Sequence, residues 1–309
     1  MLRVAAAIVL SAIAAACAAR GTANSDPSTT AELWREPIDV AQRDLLYGPG
    51  GIALVPDTSS PFAQLGADTK GFSPGYDVRD AHGREWSVKV GPEARTEVVV
   101  SRLVWAAGYR QPDIYYVPNW TLAHDGRVSS PGPARFRHKD RERPRAGEWS
   151  WRDNPFRGTR PLAGLFVLMV MVNNWDLRTA QNVIYRVDVE GSPRHWFVVK
   201  DLGASLGRTN WFVPGKRDDI DAFEREGFVD RVEGNRVTFH YRGAWLEPHL
   251  AASITPGDVV WVCELLSRLS DAQWMDAFRA GGYPDAIAVR YVRRLKHKVD
   301  EGLKLAPAP

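Results

Sequence analysis

The sequence predicts an α+β fold in two lobes, with a small β-rich N-lobe holding one helix and a larger, mainly helical C-lobe. Three observations predict it. From Leu46 to Val90 the chain breaks into short β-like runs separated by Gly/Pro turns, and a single helical stretch, Glu93 to Ala107, follows. Pro161 to Val172 is an apolar run of twelve residues, too short to span a bilayer and suited to a buried helix. The tail from Pro256 to Leu303 reads as successive helices, with Ser270-Asp271 as one capping signal. The 309 residues suffice for two lobes with real cores, and 44 % hydrophobic with 25 % charged residues is ordinary globular composition. A formal net charge of +3 gives no reason to expect a nucleic-acid partner.

The first residues read as a targeting segment. Arg3 supplies a positive start and Val4 to Ala16 a short apolar stretch, the pattern of a cleaved signal. The stretch ends Ile13-Ala14-Ala15-Ala16-Cys17, which resembles a bacterial lipobox, although Ala14 stands where leucine is usual. That resemblance implies a lipoprotein held to the membrane by lipidated Cys17, at the periplasmic face of the cell envelope. Ala18 after the cysteine suits the outer membrane. A plain secretory signal cut after Ala-x-Ala is the alternative. The expected organisation is a signal peptide at 1–17, a tether and lead-in at 18–45, the N-lobe at 46–118 and the C-lobe at 119–309. The second cysteine, Cys263, lies in the apolar stretch Val259 to Cys263 and reads as a buried thiol.

Within the N-lobe, Asp80-Ala81-His82-Gly83 turns the chain into a strand at Glu85 to Val90. Alternation puts Trp86, Val88 and Val90 on one face and Ser87 and Lys89 on the other. Gly91-Pro92 then punctuates, and the helix that begins at Glu93 carries Glu97 in its second turn and stops at Gly108. Tyr115 to Pro118 looks like a short strand and a crossing. The basic run Arg135 to Arg145, with acids interspersed and closed by Pro144, reads as a solvated loop. In the C-lobe the apolar helix delivers the chain to Asn173-Asn174-Trp175-Asp176. Asn182 to Val189 and His195 to Lys200 then read as two strands around the turn Glu190-Gly191-Ser192-Pro193. A hairpin centred between Gly191 and Ser192 pairs position 182 with position 201. Asn182 and Asp201 would then stand side by side as oxygen ligands for one Mg²⁺ or Mn²⁺.

Taken in order, Lys89, Glu97, Asp176, Asn182 and Asp201 are the set that phosphoryl transfer from a nucleoside triphosphate needs. A lysine holds phosphate, a glutamate orients the lysine, an aspartate handles the acceptor hydroxyl, and an Asn/Asp pair holds the metal.

This layout resembles the atypical protein-kinase-like fold in its HipA-like, spore-coat CotH-like and secretory-pathway branches, over about residues 70 to 300 and at motif level. The resemblance implies that Lys89 contacts the ATP phosphates, that Glu97 positions it, and that Asp176 orients or deprotonates the acceptor. It implies that Asn182 and Asp201 bind Mg²⁺ or Mn²⁺. It also implies that Gly71-Phe72-Ser73-Pro74-Gly75 covers the phosphates, with Gly71, Ser73 and Gly75 as nucleotide-binding positions. The implied activity is metal-dependent transfer from ATP or another nucleoside triphosphate to a hydroxyl acceptor (protein, sugar or lipid) at the envelope. Two departures matter. Asp176 and Asn182 are six residues apart where the family has five, so either the loop bulges or Gln181 fills the metal position. Asn-Trp-Asp and Asp-Leu-Gly stand where His-Arg-Asp and Asp-Phe-Gly are usual, as also happens in pseudokinases. A catalytically silent kinase-like envelope binding protein is therefore one alternative. A serine hydrolase is another, because Gly203-Ala204-Ser205-Leu206-Gly207 matches a nucleophile elbow, with His249 or His297 to close a triad. No His pair at helical ligand spacing supports a metal hydrolase.

Overall fold

The computed structural model describes residues 30–68, 73–209, 215–242 and 248–306. The signal-like segment with Cys17, the tether up to residue 29, and Gly71 with Phe72 lie outside the described residues. The described chain opens with strand β1 (Thr30–Glu32). There follow β2 (Phe62–Asp68), β3 (Gly75–Arg79), β4 (Glu85–Val90), helix α1 (Glu93–Ala106), β5 (Ile114–Val117), β6 (Leu122–His124), β7 (Arg127–Ser129) and β8 (Ala134–His138). β9 (Arg145–Gly147) leads to α2 (Arg160–Met171), and the hairpin β10 (Asn182–Val189) and β11 (Ser192–Val199) comes next. α3 (Ile220–Arg225), the hairpin β12 (Val229–Glu233) and β13 (Arg236–Phe239), and helices α4 (Pro248–Ala251), α5 (Pro256–Ser267), α6 (Asp271–Ala280) and α7 (Asp285–Leu303) complete the chain. The α+β class expected from the sequence is the one observed.

β2 to β8 form one sheet in the order β5-β8-β4-β3-β2-β6-β7. One face is apolar: Phe62, Val78, Trp86, Val88, Tyr115, Trp120 and Phe136 make a separate core cluster. Against the other face lies α1, twelve of whose residues are buried. The sheet runs past the expected lobe boundary at residue 118, because β8 pairs with both β4 and β5. The basic run expected to be a solvated loop thus contributes a central strand. Ala134 and Phe136 supply its apolar face, while Arg135 and Arg137 point to the α1 side, where a buried carboxylate meets them.

A second sheet, β1-β11-β10-β9, stands beside the helical core. α2 is buried along most of its length, as its unbroken apolar sequence requires, and Thr159 caps its start by accepting from the Leu162 N–H. α5 and α6 both begin with reciprocal capping boxes, Thr255 with Asp258 and Ser270 with Gln273. The lead-in is packed from residue 30 on: Leu33, Val40 and Leu45 join the main core, and Gln273 Nε2 donates to Val40 O at 2.7 Å. Among the described residues no helix is long and apolar enough to cross a membrane.

Candidate active site

Lys89 is the hub. Alternation along β4 sends Trp86 and Val88 into the apolar cluster and Lys89 to the opposite face. Its Nζ lies 2.5 Å from Glu93 Oε2 and 3.1 and 3.2 Å from the two carboxylate oxygens of Asp201. Glu93 opens α1, where the positive end of the helix dipole favours a carboxylate. Asp201 follows β11. Burial alone would raise its pKa, but Lys89 and Arg137 outweigh burial and hold the carboxyl below its ordinary value. Gly75 pairs directly with Lys89 across β3 and β4. Ser73 is buried, and its Oγ lies 3.5 Å from Glu93 Oε2. Arg217 forms a second ion pair with Glu93 and stacks on the Trp175 ring at 5.3 Å.

A close backbone approach holds these groups together. A Cβ on Gly203 would fall 2.7 Å from Glu93 Cβ, so only glycine lets the Asp201-Leu202-Gly203 segment run so near α1. Thr96 Oγ1 on the next turn donates to Gly203 O at 2.8 Å.

Glu97 is placed differently from the expectation. It is fully buried and takes Arg137 at 2.6 Å and Arg135 at 3.0 Å. The lysine's partner on the helix is Glu93, one turn earlier. The reason is the neighbours each one meets: Glu97 packs against β8, where Arg135 and Arg137 need a counter-charge, whereas Glu93 stands between Lys89 and Arg217. Arg137 also donates to Lys200 O at 3.1 Å, tying the first sheet to the segment that carries Asp201.

Asp176 lies on the loop after α2. Its carboxylate accepts from Arg178 at 2.5 and 2.6 Å and from Gln181 Nε2 at 2.9 Å, and its N–H donates to Asn174 Oδ1 at 3.0 Å. The β10–β11 hairpin has another register from the one expected. Glu190 (φ 53°) and Gly191 (φ 76°) both adopt left-handed conformations, which makes them the two central residues of the turn. Val189 then faces Ser192, and Asn182 faces Val199 rather than Asp201. Asn182 is fully buried and its Nδ2 donates to Trp149 O at 3.0 Å. Gln181 is the side-chain amide that touches Asp176, and its backbone carbonyl receives the Lys200 N–H at 3.0 Å. Among the described residues no group of three His, Cys, Asp or Glu side chains forms a metal cage.

Beside the Lys89 cluster lies a cavity of about 260 Å³ between the two sheets, with Ser87, Arg137, His138, Tyr185, Trp196 and Val198 on its walls. Ser87, on the cavity wall, and Lys89 share a face of β4, with their Cα atoms about 6.6 Å apart along the strand. Sequence reasoning missed this cavity, Glu93 and Arg217. Glu93 carried a readable signal, as the acidic residue that opens the helix four positions after the lysine. Arg217 carried none.

The hydrolase alternative is not assembled. Ser205 is fully buried, and its Oγ has no hydrogen-bond partner. His249 and His297 are both exposed, and no helix follows Gly207 directly among the described residues.

No protein-family model matches the chain, and no curated protein matches it. Solved structures similar to it at low identity include two kinases. The Helicobacter pylori proinflammatory kinase CtkA is 10 % identical, with 81 % of this chain and 94 % of that chain covered and a TM-score of 0.43. A Golgi casein kinase is 10 % identical, with 81 % of this chain and 73 % of that chain covered and a TM-score of 0.35.

Proposed function

We propose that the chain is an atypical phosphotransferase of the protein-kinase-like fold, moving a phosphoryl group from a nucleoside triphosphate to a hydroxyl acceptor at the cell envelope. One observation carries the reading: a lysine from β4, a glutamate from α1 and an aspartate following β11 meet within 3.2 Å of one ammonium. Such a cluster, distant in sequence and half-buried, is how a phosphate clamp is held before its ligand arrives.

In this reading Lys89 exchanges Asp201 for a phosphate oxygen, and Glu93 keeps the ammonium in place. Ser73 and the strand start at Gly75 form the wall over the phosphates. Gln181, its side-chain Nε2 held by Asp176, would offer its side-chain Oε1 to a metal, with Asp201 as the second protein ligand. One or two protein oxygens suit Mg²⁺ or Mn²⁺, which fills its shell with phosphate and water, so the donor set fits the ion. When bound, the ion neutralises charge on the phosphates. Asn182, sealed against Trp149, would act from beneath by fixing the start of β10. The cavity between the sheets takes the nucleobase, because Ser87 on its wall shares a strand face with Lys89. Asp176 accepts the hydroxyl proton of the acceptor once Arg178 swings away. Lipidated Cys17 would hold the domain at the envelope.

The silent alternative has one observation on its side, since both Asp176 oxygens are already engaged by Arg178. Incubation with γ-labelled nucleotide and envelope fractions separates the two. Label transfer that disappears in Asp176→Asn while nucleotide binding persists supports the enzyme. Binding without transfer in the unmodified protein supports the silent form.

A further inference from the structure

A second cavity, of about 340 Å³, has Arg208, Thr209, Arg225, Glu226, His240 and Arg242 on its walls among the described residues. The three arginines come from three separate segments. Arg208 follows the Gly203–Gly207 stretch, Arg225 ends α3, and Arg242 follows β13. Elsewhere Arg135, Arg137, Arg143, Arg178 and Arg290 are each matched to a carboxylate. Arg208, Arg225 and Arg242 form no ion pair among the described residues. Glu226, the carboxylate on this wall, is half-buried and takes the Thr209 hydroxyl at 3.4 Å. Burial raises its pKa against the pull of Lys298, the Thr209 hydroxyl, Arg208 and Arg242, and its carboxylate forms no ion pair with the three guanidinium groups among the described residues. The wall is constructed closely: a Cβ on Gly227 would fall 2.4 Å from the His240 ring.

The cavity adjoins the loop that carries Asp176. Tyr241 donates its hydroxyl to Asn174 O, and the next residue, Arg242, donates its N–H to Thr209 Oγ1 at 3.1 Å. On the other side a Cβ on Gly215 would fall 2.4 Å from Trp175 Cδ1 and 2.5 Å from Arg208 O. Tyr241, next to Arg242 in the chain, and Gly215, packed on the Arg208 carbonyl, thus link the cavity wall to Asn174 and Trp175, just before Asp176.

We propose that this cavity is an anion subsite on the acceptor side, taking a phosphate-type tetrahedral oxyanion carried by the acceptor. Arginine suits such a group because its planar fork gives paired, charge-assisted hydrogen bonds. The assignment to the acceptor rests on the phosphotransferase reading, whereas the anion site itself does not. The oxyanion has two possible sources, a soluble or polymeric phosphate and a lipid headgroup.

The test titrates inorganic pyrophosphate into metal-free, nucleotide-free protein by calorimetry, for the unmodified chain, Arg208→Gln/Arg242→Gln and Lys89→Gln. A parallel arm measures sedimentation with phosphatidylglycerol vesicles against phosphatidylcholine vesicles. The expected result is binding weakened tenfold or more in the double variant and unchanged in Lys89→Gln. Arginine-dependent binding to the phosphatidylglycerol vesicles would identify a headgroup as the source, and pyrophosphate binding alone a soluble or polymeric phosphate. Binding lost equally in Lys89→Gln would put the anion at the nucleotide site and overturn the proposal, as would no arginine-dependent binding in either arm. Both arginines are exposed, so the double variant should melt like the parent, and Arg208→Lys should keep part of the affinity. Nucleotide binding measured on the same variants shows whether the wider reading fails separately.

Discussion

Two glutamates one helical turn apart do different work, and mutation should separate them. Glu97 is the buried counter-charge for Arg135 and Arg137. Glu97→Gln leaves two buried guanidinium groups without a carboxylate and should cost about 3–5 kcal/mol, the range for breaking a buried ion pair. Chemical denaturation would measure it. Glu93→Gln should weaken nucleotide binding far more than Glu97→Gln does, because Glu93 is the carboxylate that holds Lys89. Lys200 gives a pH signature. Burial first, then Arg137 and Arg145, bring its pKa from 10.5 to about 8. The folded chain therefore sheds this proton before the unfolded chain does. Between about pH 8 and pH 10.5 the unfolded state binds more protons, so stability should rise with pH across that window. In Lys200→Met that rise should flatten. An identical pH slope in the variant would refute the assignment.

At the scale of elements, several were legible from side-chain periodicity alone. β4 showed its two faces, α1 its start and stop, and α2 its unbroken apolar run, because each is set by local pattern and capping. β8 was not legible. Its arginines look solvated until Glu97 is known to pair with them, and that partner comes from a distant part of the chain. The β10–β11 hairpin was found, but its register was off by two, because the turn was centred on Gly191-Ser192 when the left-handed pair is Glu190-Gly191. Glutamate is a poor residue for that conformation. Glu190→Asn should stabilise the domain by up to about 1 kcal/mol, since Asn-Gly is the favoured pair for such a turn. Loss of stability in that variant would contradict the turn assignment. Gly203→Ala should act in the opposite direction, by about 1–3 kcal/mol, because its Cβ meets Glu93 Cβ.

On the scale of the whole molecule, the lead-in joins the two halves. β1 pairs in parallel with β11, Trp34 Nε1 donates to Ala107 O at 2.7 Å behind α1, and Leu33, Val40 and Leu45 fill the main core. A chain beginning at Leu46 should therefore lose several kcal/mol, since each buried leucine removed costs roughly 2–5 kcal/mol. The site is a property of this whole arrangement: Lys89 belongs to the first sheet, and Asp201 follows a strand of the second. Nucleotide binding at Lys89 and Asp201 is decided by the thermal stability of the domain from residue 30 with ATP or GTP and Mg²⁺ or Mn²⁺, for the unmodified chain and Asp201→Ala. Ligand at a hundred times its Kd should add about 2.7 kcal/mol. If Lys89 and Asp201 hold a nucleotide and its metal, the shift is upward, metal-dependent and abolished by Asp201→Ala. No shift with any nucleotide and metal, or an equal shift in the variant, would contradict that binding.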